Sequence, residues 1–453
     1  MPSVPMGTAS YERQKTGYPE TILRNMFLEK DETDSSIDGV LRVQRGGLRK
    51  LLTFPAAIRG LFQMDGVFGG VGFVAAGDKL YTTDFGSFTE IATIPDDGQT
   101  VSLAASFEKL GIVSSGEFHI WDGEELVEVV LPDGKAPISL DVMNSYFILP
   151  LSDGTFYWQT PGITGFDGDN ILEALNFATA ESIPDGLLTG KRLRDDLFLF
   201  GPESIEVWQA TGDAEATFTR ATGRLIDRGC HSRETVVTFD NSVVFVGNDG
   251  LVYRLQDVPE RISTFGIEER IRNRNDLCSA FQFTSDGHKF YCLRIPSQGT
   301  FAYDAATQVW SEFSTIGEAV WDAYLGGDIT IGPICADEAG NLYKVDPDYA
   351  LDNDQPIEKT VSGTVALSSK RYPNSSLAIE IGCDQPTTIS LRWKDALSDW
   401  SQPKLLSARA GSDIINAWRL GATRGAWRTF EISSSDETII RISGATANES
   451  RAV

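Results

Sequence analysis

A glycine followed by two short β-type segments recurs seven times along the chain, and this repeat constrains the fold more than any other feature. The repeats begin at Gly77, Gly116, Gly154, Gly201, Gly250, Gly299 and Gly340. Successive glycines are 38 to 49 residues apart, and another apolar segment precedes most of them. A period of this length with several short strands per repeat is typical of β-propeller blades. We therefore predict a propeller of about seven blades.

The ring of a propeller must be closed, and residues 40–55 supply a candidate strand. The segment VLRVQRGGLRKLLTFP precedes the first repeat. We predict that it pairs with the last blade. The same spacing is also compatible with an array of β-sandwiches or a parallel solenoid, and these remain alternatives.

Composition changes along the chain indicate four segments of an all-β protein. We predict an extended N-terminal arm over 1–39, a β-propeller over 40–350, an acidic linker over 351–357 and an antiparallel β domain over 358–453. The last segment alternates with a period of two, which predicts a small sandwich or barrel. Short helices are predicted only at 267–274 and 169–176.

The charge is unevenly distributed. The whole chain has 39 basic and 64 acidic residues, a net charge of −25. Residues 358–453 hold 12 basic and 10 acidic side chains, so the preceding 357 residues hold 27 and 54. A surface that is this acidic repels phosphate and argues against nucleic-acid binding by the body.

The five cysteines are scattered, which argues against a disulfide scaffold and against a zinc site made of cysteines. Neither a signal peptide nor a membrane span is recognisable. We therefore expect a soluble protein that folds in a reducing cytosol and is not secreted by the usual route.

No residue pattern predicts catalysis, a metal site or a cofactor. His119, His231 and His288 lack a recognisable nucleophile partner, and we interpret each as a structural histidine. The acidic segments 165–170 and 346–354 lack the ligand spacing of an EF-hand, so solvated turns are favoured. A pair of glycosidase carboxylates cannot be selected from 64 acidic residues.

One segment, 418–432, is unusually rich in arginine and tryptophan. Its sequence WRLGATRGAWRTFEI could stack nucleic-acid bases or could form two structural strands joined at 421–425. The alternation favours a hairpin. We predict that Arg419, Arg424 and Arg428 contact carboxylates of the same sheet or of a neighbouring subunit, with Trp418 and Trp427 packed against them. Single-strand binding through 358–453 is the alternative.

Several motifs, in order along the chain, resemble those of phage packaged-DNA stabilisation proteins, the tail hub or nozzle proteins of short-tailed phages. The C-terminal matches are Leu391, Arg392, Trp393, Asp395, Trp400, Ser401, Arg419, Leu420, Gly421, Arg428, Phe430, Glu431, Gly444 and Ala445. The body and arm match at Arg24, Asn25, Gly47, Leu48, 180–186, Phe200, Gly201, 204–206, Thr211 and Gly212. The chain departs from the family pattern at Gly46, where the family has proline, and at the turn 394–399.

This resemblance implies a structural virion protein and no enzymatic activity. Family members form a hexameric ring below the portal and its adaptor, enclose the DNA channel and retain packaged DNA until ejection. The expected partners are further copies of the chain, the head–tail adaptor, fibres, spikes or a needle, and genomic double-stranded DNA that passes without sequence-specific binding. The expected location is the virion tail, after assembly in the host cytoplasm.

The resemblance also points to an assembly surface in the C-terminal domain. Its predicted residues are Trp393, Trp400, Trp418, Arg419, Arg424, Trp427 and Arg428. The competing hypothesis is a cytosolic β-propeller enzyme or glycan-binding protein with its site at the propeller mouth.

Overall fold

The computed structural model describes most of the chain as β-strands. The described residues are 3–11, 20–32, 36, 38–159, 172, 175–180, 182–213, 217–366, 374–396, 398–423 and 425–449. Within these ranges the structure has 40 strands and one α-helix, α1 (Phe265–Arg272). Short 3-10 turns lie at Phe68–Gly70, Pro132–Gly134 and Arg233–Thr235. No helix in the described ranges is long and apolar enough to cross a membrane.

Four strands precede the first blade; the first, third and fourth pair with strands much later in the chain, and the second pairs with the third. They are β1 (Leu23–Arg24), β2 (Met26–Lys30), β3 (Val40–Gln44) and β4 (Gly47–Thr53).

Seven four-stranded blades then form the propeller, as the repeats predicted; five are separate sheets, and the sixth and seventh are parts of a nine-stranded and a six-stranded sheet. The first blade contains β5 (Ile58–Phe62), β6 (Gly72–Ala76), β7 (Lys79–Thr83) and β8 (Phe88–Thr93). The second contains β9 (Ser102–Ala105), β10 (Leu110–Ser114), β11 (Glu117–Trp121) and β12 (Leu126–Glu128). The third contains β13 (Asp141–Met143), β14 (Tyr146–Pro150), β15 (Thr155–Gln159) and β16 (Phe177–Thr179). The fourth blade contains β17 (Thr189–Leu193), β18 (Asp196–Phe200), β19 (Ile205–Ala210) and β20 (Phe218–Ile226). The fifth contains β21 (Val237–Phe239), β22 (Ser242–Val246), β23 (Val252–Leu255) and β24 (Pro259–Arg261). The sixth blade contains β25 (Ser279–Ser285), β26 (His288–Ile295), β27 (Gly299–Asp304) and β28 (Trp310–Phe313). The seventh contains β29 (Leu325–Ile329), β30 (Gly332–Ala336) and β31 (Asn341–Asp346), and β4 is its fourth strand.

The sheets form a closed ring. The first strand of each sheet contacts the first strand of the next, with β17 instead contacting β22, and β29 of the last sheet contacts β5 of the first. A separate apolar cluster fills each gap between neighbouring sheets. The seventh cluster, with Phe54, Ile58, Val74, Ile334 and Leu342, joins the last blade to the first. The predicted closing strand is confirmed, because β4 pairs antiparallel with β31 as the fourth strand of the last blade.

The glycines that mark the repeat occupy the same place in every blade. Each lies at or next to the turn between the second and third strands. Gly154, for example, follows β14 and has a φ of 89°, in the left-handed region that favours glycine. Gly201 is required for space instead, because a Cβ there would lie 2.5 Å from an oxygen of Asp185. The repeat in the sequence is therefore a repeat of hairpin turns.

Residues after the propeller form an antiparallel β-sandwich. Its strands are β34 (Lys359–Ala366), β35 (Asn374–Cys383), β36 (Thr387–Asp395), β37 (Lys404–Ala408), β38 (Gly411–Trp418), β39 (Trp427–Ser434) and β40 (Ile440–Glu449). One face has the order β34-β39-β36-β37 and the other has the order β2-β3-β40-β35-β38. Apolar side chains from both sheets share one core, which also takes in Val4, Met6, Leu23, Met26 and Leu28.

The N-terminal segment connects this sandwich to the propeller. Strand β1 pairs with β28 of the sixth blade and with β34 of the sandwich, so the two form one nine-stranded sheet. Strand β3 pairs with β40 and leads directly into β4. Residues 351–357, predicted as a linker, contain β32 (Leu351–Asp352) and β33 (Gln355–Pro356). The domain limits taken from the sequence stay a prediction.

The predicted helix at 267–274 is confirmed with a small shift, as α1. The other predicted helix, 169–176, lies largely outside the described residues.

Candidate assembly surface

The arginine- and tryptophan-rich segment runs from one sheet of the sandwich to the other. Strand β38 ends at Trp418 and pairs with β35, whereas β39 begins at Trp427 and lies between β34 and β36. The predicted hairpin is therefore wrong. Leu420 is 1% exposed and packs into the core between the two sheets. Because Leu420 is buried there, the segment between β38 and β39 crosses from one sheet to the other. The left-handed φ values of Arg419 (62°) and Gly421 (75°) turn the chain there.

Arg428 holds this connection in place. Its buried guanidinium forms a bidentate pair with Asp395, at 2.7 Å for Nε–Oδ1 and 3.0 Å for Nη2–Oδ2. Nη1 donates to the carbonyls of Leu420 and Gly421, and Nη2 also donates to that of Ala422. Because Asp395 faces Arg428 across β36 and β39, the predicted contact of Arg428 with a carboxylate of its own sheet is confirmed.

A second arginine–tryptophan group lies on β36. The Nε of Arg392 donates to an oxygen of Glu431 at 2.5 Å. Its guanidinium carbon and the Nζ of Lys394 each lie 4.8 Å from the centre of the Trp400 ring. Trp393, on the same strand, packs against the sandwich core. These contacts fix the side chains within a single chain.

Strands β37 and β38 form the exposed margin of the sandwich. Each is the last strand of its sheet in the described residues, so its outer backbone groups face no neighbouring strand there. Three large apolar side chains project from them: Leu405 is 69% exposed, Ile414 59% and Trp418 56%. We call these three residues, with Arg419, the edge surface. Edge strands with exposed apolar side chains are the usual template for pairing with another chain.

The edge surface also differs in charge from the rest of the molecule. Residues 404–419 contain three basic residues and one acidic residue, Asp413, in a chain whose net charge is −25. The Nζ of Lys404 donates to the carbonyl of Trp418. Arg419 is exposed and forms no hydrogen bond or ion pair with any described residue. The edge surface therefore consists of exposed apolar residues in a segment that is more basic than the rest of the chain.

The remaining predicted residues differ in their surroundings. Trp427 is partly buried and faces Ala366 across β34 and β39. Trp418, being exposed, does not pack beneath the arginines within one chain. Arg424 lies outside the described residues. A role for the predicted set in assembly stays a prediction.

Sequence reasoning missed the polar junction between the propeller and the sandwich. Arg45, 2% exposed, pairs with Asp352, and its guanidinium stacks on the Trp321 ring at 4.6 Å. The Asn25 side chain accepts from Arg45 Nε and from the backbone N of Ser314, and it donates to the carbonyl of Glu358. The only signal in the sequence was the resemblance of the flanking positions 24–25 and 47–48 to the family pattern.

A buried lysine lies close to the same junction. Burial lowers the pKa of Lys359 to about 8, and its Nζ donates to the carbonyls of Asp436 and Thr438. The acidic segment 346–354 is only partly a solvated turn, because Asp352 is buried in the ion pair with Arg45. The other acidic segment, 165–170, lies outside the described residues.

The axis of the propeller is crossed by side chains. Glu234 accepts from Thr100 Oγ1 at 2.6 Å and from Arg233 Nε at 2.7 Å, and Arg233 also donates to the carbonyl of Ile138. These groups come from the second, third and fifth blades and their connecting segments. Thr100, Arg233 and Glu234 line both an axial cavity of about 220 Å³ and a wider cavity of about 480 Å³.

The three histidines are separate from one another. His288 Nδ1 lies 2.9 Å from an oxygen of Asp304, and this hydrogen bond raises the pKa of the histidine despite its burial. His231 lies beside Arg274, and burial followed by that positive charge lowers its pKa. All five cysteines are buried, and burial raises the pKa of each thiol that the structure describes. A nucleophilic thiolate is therefore disfavoured.

A match to one protein family covers most of the chain. The model of the family Phage_stabilise, described as "Bacteriophage P22 Gp10, beta-propeller", matches residues 2–350. No curated protein matches the sequence.

Solved structures resemble the chain only weakly. The computationally designed Ika8 protein is 13% identical with a TM-score of 0.40, and the match covers 72% of this chain and 96% of that one. The WD40 β-propeller domain of Doa1 is 12% identical with a TM-score of 0.44 over 66% and 96% of the two chains. BBS1N, from a complex with ARL6DN, is 11% identical with a TM-score of 0.45 over 66% and 96%. Similarity at this level carries no argument about function.

Proposed function

The chain belongs to the phage stabilisation family, that of bacteriophage P22 Gp10, and on this premise we propose that it is the hub or nozzle of a short phage tail. Six copies would form a closed ring below the portal and its adaptor. The ring would continue the DNA channel, retain the packaged genome and pass it on at ejection. The chain would carry no catalytic activity in this role.

The observation that carries the proposal is the edge surface. A ring of identical subunits needs two different patches on each subunit, one complementary to the other. Leu405, Ile414 and Trp418 supply exposed apolar side chains on the end strands of the two sandwich sheets, in a segment with three basic residues and one acidic residue. The body of the chain, with 27 basic and 54 acidic residues before residue 358, supplies an acidic counterpart. We propose that the edge surface of one copy binds the acidic body of the next.

Side-chain contacts across the propeller axis support a path for the DNA outside the propellers. The contact of Glu234 with Thr100 and Arg233 crosses the axis, and the cavity beyond it is only about 220 Å³. A duplex cannot pass through a passage of this size. In the proposed ring the genome therefore passes between the subunits and not through any propeller.

The charge of the chain suits such a passage. Six copies would bring about −150 formal charges to one tube, six times the −25 of one chain. A basic lumen would bind DNA by releasing its counterions, whereas an acidic one lets the polyanion slide. Retention would then depend on a mechanical gate and on the components below the ring.

The proposed partners are those expected of a tail hub. They are further copies of the chain, the head–tail adaptor above, and fibres, spikes or a needle attached to the outside or the tip. Genomic double-stranded DNA would be a passing ligand without base-specific contacts. The protein would be located in the virion tail after assembly in the host cytoplasm.

Cryo-electron microscopy of the virion tail tests the proposal directly. We expect a six-fold ring of this chain with the edge surface in the subunit interface. Phage carrying Ile414→Asp should assemble heads that lack the ring and lose their DNA. The matched control is Val258→Asp, because Val258 is 74% exposed on the fifth blade and outside the edge surface.

Two results would contradict the proposal. One is a tail map in which the edge surface faces solvent. The other is a chain that stays monomeric with its adaptor present and shows hydrolase or glycan-binding activity at the propeller mouth.

A further inference from the structure

Two glutamates and a histidine converge on the outer side of the second blade. Glu117 and His119 are two residues apart on β11, so their side chains project from the same face of the sheet. His119 lies directly opposite Glu128 on β12, the outermost strand of that blade. The strand register therefore brings together three groups that the sequence separates by up to eleven positions.

The three groups are close enough to share one ligand. One ligand atom from each residue, an imidazole nitrogen or a carboxylate oxygen, lies within 4.8 Å of the other two. His119 Nε2 is 3.6 Å from the nearer oxygen of Glu117, beyond hydrogen-bond distance. The three side chains therefore leave a gap between them, and no hydrogen bond joins His119 to Glu117.

His119 is buried, and one of its ring nitrogens lacks a hydrogen-bond partner among the described residues. The residue is only 7% exposed, and the unpartnered atom is Nδ1. Nε2 is the nitrogen that faces Glu117, and it is the atom placed to bind an ion.

The positive charge that would balance the carboxylates is absent from the described residues. No lysine or arginine among them forms an ion pair with Glu117 or Glu128. His119 supplies an imidazole, the side chain that most often binds transition metals in proteins.

We propose that Glu117, His119 and Glu128 form a binding site for a divalent transition-metal cation such as zinc. An imidazole nitrogen with two carboxylate oxygens is a ligand set that zinc accepts, with water in the remaining position. Calcium and magnesium prefer ligand sets made of oxygen alone. Zinc–ligand bonds of about 2.0–2.2 Å require the two exposed glutamate side chains to close around the ion.

The ion would fasten the outermost strand of the blade. Strand β12 has only three residues, and it pairs with β11 alone. A cation held by Glu128 on β12 and by two side chains of β11 links the two strands. Because it binds the folded protein only, it stabilises the fold by mass action.

Zinc titration of the full-length, EDTA-treated and dialysed protein tests the site. We expect one ion per chain by calorimetry, together with a rise in the melting temperature. Glu117→Gln and Glu128→Gln should each weaken binding by at least the roughly 10–100-fold that follows loss of an outer-shell partner. Glu124→Gln is the matched control, because Glu124 is an exposed acid of the same blade outside the cluster.

The outcomes divide cleanly. Loss of binding in both cluster variants with retention in the control supports the site, as does a cobalt spectrum with a nitrogen ligand that the cluster variants lack. Absence of zinc binding by the unmodified protein, or equal binding by all three variants, overturns it. Competition by calcium as strong as that by zinc overturns the assignment to a transition metal.

Discussion

Arg45 and Asp352, 307 positions apart in the chain, form a bidentate ion pair that is buried on both sides. The distances are 2.9 Å for Nη1–Oδ1 and 2.5 Å for Nη2–Oδ2. The pair joins the segment between β3 and β4 to the short strand β32 that follows the propeller. It therefore lies where the first and last parts of the ring meet the sandwich.

Removing the negative partner should destabilise the protein strongly. In Asp352→Asn the guanidinium of Arg45 stays buried without its counter-charge, and such losses typically cost about 3–5 kcal/mol. Urea denaturation of the purified protein measures the change. The control is Asp346→Asn, which breaks the exposed pair with Arg49 and should cost no more than about 1 kcal/mol. Equal effects of the two substitutions would contradict a special role for the buried pair.

Arg428→Lys should destabilise the sandwich while keeping its charge. Lysine cannot reproduce the fork that binds Asp395, and it cannot reach the carbonyls of residues 420–422 at the same time. Buried acceptors left without donors cost about 1–3 kcal/mol. Arg419→Lys is the control, because Arg419 is exposed and has no partner among the described residues. Its unfolding free energy should stay within about 0.5 kcal/mol of the unmodified value.

Gly47→Ala should prevent normal closure of the ring. A Cβ at this position would lie 2.2 Å from the carbonyl oxygen of Leu351 and 2.3 Å from that of Tyr349, and both are backbone atoms. The strand β4 would have to move, at the upper end of the roughly 1–3 kcal/mol that overpacking costs. Gly327→Ala is the matched control, since a Cβ there meets nothing within 4 Å. Melting temperatures that are alike for the two variants would contradict the tight approach.

The pair of His288 and Asp304 should make stability depend on pH. The hydrogen bond that His288 donates to Asp304 raises the pKa of His288 against the effect of burial. Burial would raise the pKa of Asp304, but hydrogen bonds from His288, Thr307 and Ala306 lower it overall. The histidine's contribution is therefore complete below its unfolded pKa of about 6.5 and is lost as the pH rises through its higher folded value. The aspartate's contribution is lost only as the pH falls through its lowered value.

His288→Gln should consequently cost more stability at pH 6 than at pH 9. Denaturation midpoints of the two proteins at both values give the comparison. His231 provides a contrast with the opposite sign, because burial and Arg274 lower its pKa. As the pH falls, His231 is protonated in the unfolded state before it is protonated in the folded state, and this destabilises the fold. His231→Gln should therefore cost less stability at pH 6 than at pH 9. A pH-independent cost for His288→Gln would contradict the ion pair.

The propeller could be predicted from the sequence because its information is local. The turn glycines, such as Gly154 and Gly250, lie between strands only a few residues apart, and each hairpin pairs with its own neighbour in the chain. The closing strand was also predictable, because a segment placed just before the first repeat is available to complete the last blade.

Pairing between distant strands could not be predicted in the same way. Alternation tells which face of a strand is buried, but it does not identify the strand beside it. Trp418 and Trp427 are close in sequence and belong to different sheets, so the hairpin predicted there failed. Arg45 and Asp352 resemble surface charges in the sequence, and His119 meets Glu128 only through the register of β11 and β12.

The short connection between β3 and β4 has a consequence for how the chain folds during synthesis. Only Arg45 and Gly46 separate the strand that pairs with β40, near the C-terminus, from the strand that pairs with β31. Both strands leave the ribosome early, and at about 5–20 residues per second their partners follow only after tens of seconds. Until then β3 and β4 lack these partner strands. Closure of the ring by β4 then positions β3 to receive β40, so the sandwich is completed last.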